Sequence, residues 1–181
     1  QNDHARALPL YEEALALFEE ADDREEVGGT LSVIGNALVR LRRYREAEER
    51  YARALEVSRA LGKRTWQVND LVALGNLAAE GQYDRDAAAA YYREALDLAE
   101  SVGATTDAAL AMAAYGRFLS HAGRFDEADA RLTEAYDRWV AAGNRVGEAW
   151  TLIDLGHLKD LRGDNERARE QYEASLAIGE A

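Results

Sequence analysis

The sequence has no cysteine and only one proline and one methionine in 181 residues. Without cysteine there is no disulfide framework, no thiol nucleophile and no thiolate metal site. A single proline, Pro9, leaves nearly the whole chain open to helix. No apolar run is long enough to span a bilayer and no signal-peptide pattern stands at the start, so a soluble, cytoplasmic protein that meets no membrane is expected. Positive charge is also scarce: 22 Lys and Arg face 34 Asp and Glu, a net charge of −12. A surface of that sign repels phosphates, and no nucleic-acid partner is expected. Catalytic signatures are missing too. There is no phosphate-cradling Gly-Lys-Thr loop and no Gly-x-Ser-x-Gly elbow. The three histidines, His4, His121 and His157, form no His-x₃-His pair. No enzymatic activity, metal or cofactor is expected, and His121 facing His157 is the one metal arrangement worth a test.

What is present is ample material for a core. Hydrophobic residues make up 48% of the chain and charged residues 31%, a balance that suits a packed all-α structure and not a disordered one. The chain begins at Gln1 with Met112 as its only methionine, and it starts and stops at matching points of a repeat, so it reads as a segment of a larger protein. That repeat is set by four glycines, Gly35, Gly75, Gly116 and Gly156, about forty residues apart. Each is followed by an alanine (Ala47, Ala88, Ala128, Ala168), then by a ring or leucine (Tyr51, Tyr92, Leu132, Tyr172), then by a small residue (Ala54, Ala95, Ala135, Ser175). Leu31, Leu71, Met112 and Leu152 lie four residues before the glycines. The opening segment joins the series through Ala7, Tyr11, Ala14 and Leu15.

Both stripes fall at helical spacing, so each unit is a pair of helices joined by a short polar turn: Arg42-Arg43-Tyr44, Gly81-Gln82-Tyr83, Gly123-Arg124-Phe125 and Gly163-Asp164-Asn165. Gly62, Gly103 and Gly143 stand where second helices need a left-handed cap. A mid-helix glycine costs about 1 kcal/mol against alanine, and keeping it four times predicts close crossing of two helix axes. Gly75 to Ala88 is one residue longer than its counterparts, which predicts a longer turn in repeat 2. Pro9, inside the stripe of the first helix, predicts a late start near Leu8 or a kink.

Leu31-Ser32-Val33-Ile34-Gly35 with Ala47…Tyr51…Ala54, and Leu71-Val72-Ala73-Leu74-Gly75 with Ala88…Tyr92…Ala95, resemble the two helices of the tetratricopeptide repeat. The resemblance covers nearly the whole chain. It departs from the family in its forty-residue period, in lacking a closing proline, in having Leu or Met for the first-helix Trp, and in Lys159 of repeat 4. These features are similar to the long-repeat branch found in kinesin light chains and in the sensor arms of bacterial signal-transduction ATPases and transcription activators; HEAT repeats share the period but want prolines. The resemblance implies a right-handed superhelical solenoid, one array over residues 1–181. It would comprise an orphan second helix near 4–21, then pairs near 25–61, 65–102, 105–142 and 145–180, nine helices in all. Ala168, Tyr172 and Leu176 would then lie uncovered on the last helix, a face that pairs with a continuing array or with a second copy in a homodimer.

In such arrays first helices line a concave groove, and the resemblance puts groove side chains at −6, −3, +1, +4 and +5 from the glycine. The +1 row reads Asn36, Asn76, Arg117, His157, a polar ladder able to hold the backbone of an extended peptide. Arg117 and Arg40 suit a carboxylate, and Asn69, Trp150 and His121 flank them. The plain alternative is that +1 is merely solvated. The −3 row, Ser32, Val72, Ala113, Ile153, lacks the lysine of a chaperone-tail clamp and makes the groove partly apolar. Trp150 is expected at the rim; Trp66 and Trp139 read as packing between units. Arg40, Arg42, Arg43 and Arg45 precede Glu46, Glu48 and Glu49 and read as a solvated turn with local ion pairs. The expected function is a protein- or peptide-binding scaffold. The alternatives are an effector-sensing arm or an oligomerisation module of a multidomain bacterial regulator.

Overall fold

Alanine, leucine, arginine and glutamate dominate the sequence, all strong helix formers, and a computed structural model of the chain turns them into helix almost throughout. The structure describes residues 2–82, 84–103 and 105–179. Among these lie nine α-helices: α1 Asn2–Glu20, α2 Arg24–Arg40, α3 Tyr44–Ala60, α4 Arg64–Leu77, α5 Arg85–Ser101, α6 Thr105–His121, α7 Phe125–Ala141, α8 Arg145–Leu161 and α9 Asn165–Gly179. The chain divides between Leu98 and Ala99 into two compact units. In the first, α1 packs on α2, α2 on α3 and α3 on α4; in the second, α6 packs on α7, α7 on α8 and α8 on α9.

The four repeat glycines have a more specific use than crossing of helix axes. A Cβ added at Gly35 would stand 2.5 Å from the Tyr51 ring, at Gly75 2.7 Å from Tyr92, and at Gly156 2.6 Å from Tyr172. At Gly116 it would stand 2.7 Å from Leu132. The ring or leucine of the second helix thus lies flat where a first-helix side chain would be, and side-chain contact, more than backbone contact, fixes the glycine.

Helix ends follow one plan. Gly62, Gly103, Gly123, Gly143 and Gly163 all take left-handed φ between 64° and 81°. The same position is filled by Asp22 (φ 54°) and Arg42 (φ 59°), residues for which this conformation is strained. Asp22 and Arg42 each close the helix with the same two bonds; around Arg42 these run from its N–H to the Val39 carbonyl and from the Arg43 N–H to the Leu38 carbonyl, both 2.9 Å. Asp23, Asp84, Asn144 and Asp164 cap the next helix by accepting a backbone N–H. Arg43 and Arg124 cannot, and each instead donates twice to the carboxylate three residues on, Glu46 and Glu127, at 2.5 and 2.7 Å. The arginine run is therefore part of a turn with local ion pairs.

Two local expectations are corrected. The extra residue of repeat 2 does not lengthen the turn. It widens the end of the helix, where Ala78–Gln82 form a π-helical turn after α4 and the Asp84 N–H reaches back to the Ala78 carbonyl at 2.9 Å. Tyr83, of the expected turn Gly81-Gln82-Tyr83, lies outside the described residues. Nor does the first helix start late: α1 runs from Asn2 with Pro9 inside it. The carbonyl that loses its partner belongs to Ala5, an exposed residue whose oxygen can bond water. On α9, Ala168 is buried and Tyr172 half-buried against their own repeat, so only Leu176 remains as a large, exposed apolar side chain there.

Candidate functional site

The first-helix residues singled out by sequence fall into two groups, one in each unit. In the first unit Asn36 and Arg40 of α2 and Asn69 of α4 are exposed, and Asn76 is half-buried. The two +1 asparagines are not free of the repeat interior. The Tyr51 hydroxyl donates to Asn36 Oδ1 at 2.9 Å, and the Tyr92 hydroxyl to Asn76 Oδ1 at 2.8 Å. A buried tyrosine needs a partner for its hydroxyl, and burial pushes the Tyr51 pKa up to about 12. The bond fixes each carboxamide: its oxygen is held by the ring and its two N–H donors remain for a ligand. The sequence carried this signal, since asparagine occurs at +1 in the two repeats that pair it with a tyrosine and have no acid at +4. In repeat 4 the +4 residue is Asp160, which accepts the Tyr172 hydroxyl at 2.7 Å; burial and this carboxylate push that tyrosine also to about 12.

Between α2, α3 and α4 lies a pocket of about 300 Å³, lined by Gly28, Ser32, Asn36, Trp66, Asn69 and Asp70 among others. It joins Asn36, Asn69 and the −3 residue Ser32 to Trp66, read from sequence as packing, and to Asp70, which sequence reasoning did not single out. Asp70 is 5% exposed. The Ser32 hydroxyl lies 2.9 Å from its Oδ1 and the Ser58 hydroxyl 2.9 Å from its Oδ2. Both serines also lie near backbone carbonyls, but an ionised carboxylate is the stronger acceptor. Burial pushes the Asp70 carboxyl above its ordinary range, and the two hydroxyls oppose that shift. Trp66 is half-buried, with the Lys63 ammonium 5.3 Å from its ring centre. A larger recess of about 510 Å³ near Val27 is lined by Glu19, Asp22, Arg24, Arg53 and Glu56, of which Arg53 and Glu19 pair at 2.5 Å.

In the second unit Arg117 and His121 of α6 meet Asp154 and His157 of α8. Arg117 Nη1 is 3.4 Å from Asp154 Oδ2, and the two imidazole rings are 5.2 Å apart at 50°. Burial raises the Asp154 carboxyl, while Arg117 first, then His157 and His121, draw it back. Among the described residues no three His, Asp or Glu side chains gather as a metal set. Trp150 is 65% exposed on α8. Trp139 is buried at 8% against Gly147, where a Cβ would collide with the indole. No described helix is long and apolar enough to cross a membrane.

Known proteins fit this architecture. The structure resembles BtubC (BKLC) from P. vanneervenii with a TM-score of 0.77 and 22% identity, over 97% of this chain and 73% of that one. It resembles the apo form of RapI with a TM-score of 0.77 and 18% identity, over 98% of this chain and 62% of RapI. YrrB, described as a TPR protein with an unusual peptide-binding site, aligns at a TM-score of 0.55 and 22% identity, over 98% of this chain and 78% of YrrB. No curated protein matches the sequence. The tetratricopeptide repeat model matches residues 1–60, 26–101 and 107–181. With paired helices built on a glycine-under-ring contact and a family model that matches most of its length, the chain belongs to the tetratricopeptide repeat family.

Proposed function

We propose that the chain is a non-catalytic docking module that holds an extended peptide segment of a partner protein against the polar faces of its first helices. The observation that carries this reading is the fixed asparagine pair. Asn36 and Asn76 each have the carboxamide oxygen engaged by a tyrosine of their own repeat and N–H donors left over, the chemistry that suits peptide carbonyls. The family consists of protein-binding repeats, and a structural neighbour is described as having a peptide-binding site, which supports the same reading. In the first unit Arg40 and Asn69 would join this pair, and in the second unit Arg117, His121, Trp150 and His157 would form a contact patch of their own. Self-association through α9 has less to rest on, since Ala168 is buried there.

The test is a screen of N-acetylated peptide libraries against the purified chain, followed by calorimetry on Asn36→Asp and Asn76→Asp. Aspartate keeps an acceptor for the tyrosine but removes the amide donors. Affinity should fall by about 1 kcal/mol per hydrogen bond lost, with the thermal midpoint nearly unchanged. A peptide bound equally well by both variants would remove this reading.

A further inference from the structure

The pocket around Asp70 holds a buried carboxylate with no cation beside it. Among the described residues, fifteen ion pairs join Lys or Arg to Asp or Glu, and Asp70 is in none of them. Lys63 is a neighbour in sequence, but its ammonium rests over Trp66 and pairs with Glu25 at 2.6 Å. A buried ionised group is costly unless paired, and two hydroxyls orient Asp70 without neutralising it. Each carboxylate oxygen keeps acceptor capacity beyond its one serine.

The surroundings fit a specific guest. Ser32, Ser58 and Asp70 have as counterparts Ala113, Trp139 and Thr151 in the second unit, so the polar trio is a departure from the repeat and not part of it. Gly28 and Gly29 keep the mouth open, Tyr51 and Trp66 offer apolar wall for an alkyl stem, and Asn36 and Asn69 stand at the rim. A chain carrying a net −12 draws cations toward it.

We propose that this pocket is a specificity subsite that takes the lysine ammonium or arginine guanidinium of the docked peptide onto the Asp70 carboxylate. The proposal rests on the peptide-docking reading above and deepens it. The guest cation supplies the partner that the fold withholds, and the stem lies along Tyr51 and Trp66. Asp70 would then be worth more to binding than to folding.

The experiment uses the full chain and hexapeptides identified from an N-acetylated library, each made with Lys or Arg and with its uncharged analogue, N-acetyl-lysine or citrulline, at the same position. The charged peptide should bind the wild-type chain at least tenfold more tightly. In Asp70→Asn that preference should vanish, while the thermal midpoint stays level or rises. A library in which nothing binds removes the docking reading itself. Binding without a preference for the charged peptide, or a preference that survives in Asp70→Asn, leaves docking intact and overturns the subsite. The ligand-side comparison needs no variant, so it decides the matter even if Asp70→Asn folds poorly.

Discussion

The two units place the same repeat positions 81 residues apart, as Gly35 to Gly116 and Gly75 to Gly156 both are, and they use them in opposite ways. In the first unit the indole is Trp66 on α4, and it stands beside Gly28. In the second, the position of Ser58 is Trp139 and that of Trp66 is Gly147: the indole has moved to the other helix and lies on the glycine. The first arrangement leaves a pocket over Asp70, whereas the second is packed. The carboxylates differ likewise. Asp70 waits without a cation, while Asp154, at the position of Ala73, has Arg117 of its own unit beside it. A repeat fixes where helices cross, and the positions it leaves unspecified decide whether a crossing becomes a site or a core.

The comparison can be broken most forcefully at Trp139. Trp139→Ala should destabilise the second unit by about 3 kcal/mol or more, since a buried indole is lost with no pocket function to release; urea unfolding monitored by far-UV circular dichroism measures it. The counterpart Ser58→Ala should cost less, about 2 kcal/mol near neutral pH, because it removes one hydroxyl from an ionised acceptor. That cost should shrink in acid, where Asp70 is neutral. The same logic gives a pH signature. Asp70 has a folded pKa raised by burial, so its protonated form favours the folded chain. Stability from this group is present below the ordinary carboxyl range, near about 4, and is lost as pH climbs through the raised value. Asp70→Asn should flatten that loss in thermal scans across the acid range, and an unchanged pH slope would mean the carboxylate is compensated after all.

A gentler change sharpens the comparison at the turns. Arg42 holds the left-handed position that Gly123 fills in the second unit. Arg42→Gly should stabilise by about 1 kcal/mol, the order of the left-handed penalty. Asp22→Gly should gain only a few tenths, because aspartate tolerates that region better. Both are read from denaturant midpoints.

Much of the fold was legible because the repeat states each requirement four times. The glycines, the alanines and the tyrosines recur in register, and a nine-helix chain with an unpaired first helix follows from them. Legibility failed where one copy departs. The extra residue at Gly75–Ala88 read as a longer turn, yet a helix end can absorb a residue by widening. Pro9 read as a late start or a kink, and the late start fails because an exposed carbonyl can exchange its helix bond for water. Asp70 escaped notice because its two serines lie 38 and 12 residues away, and only folding assembles the trio. The +1 asparagines were legible as polar positions, but their tie to Tyr51 and Tyr92 required seeing a first-helix amide and a second-helix hydroxyl together.

The tyrosine–asparagine bond also makes the chain its own optical probe. A ligand drawing on the donors of Asn36 or Asn76 polarises the amide whose oxygen holds a phenol in the repeat interior. If a peptide docks there as proposed, its arrival should register in the near-ultraviolet absorption of Tyr51 and Tyr92. With the Tyr51 hydroxyl resisting ionisation until about 12, that signal stays clear of phenolate across the working pH range, and no dye need be attached to watch a partner arrive.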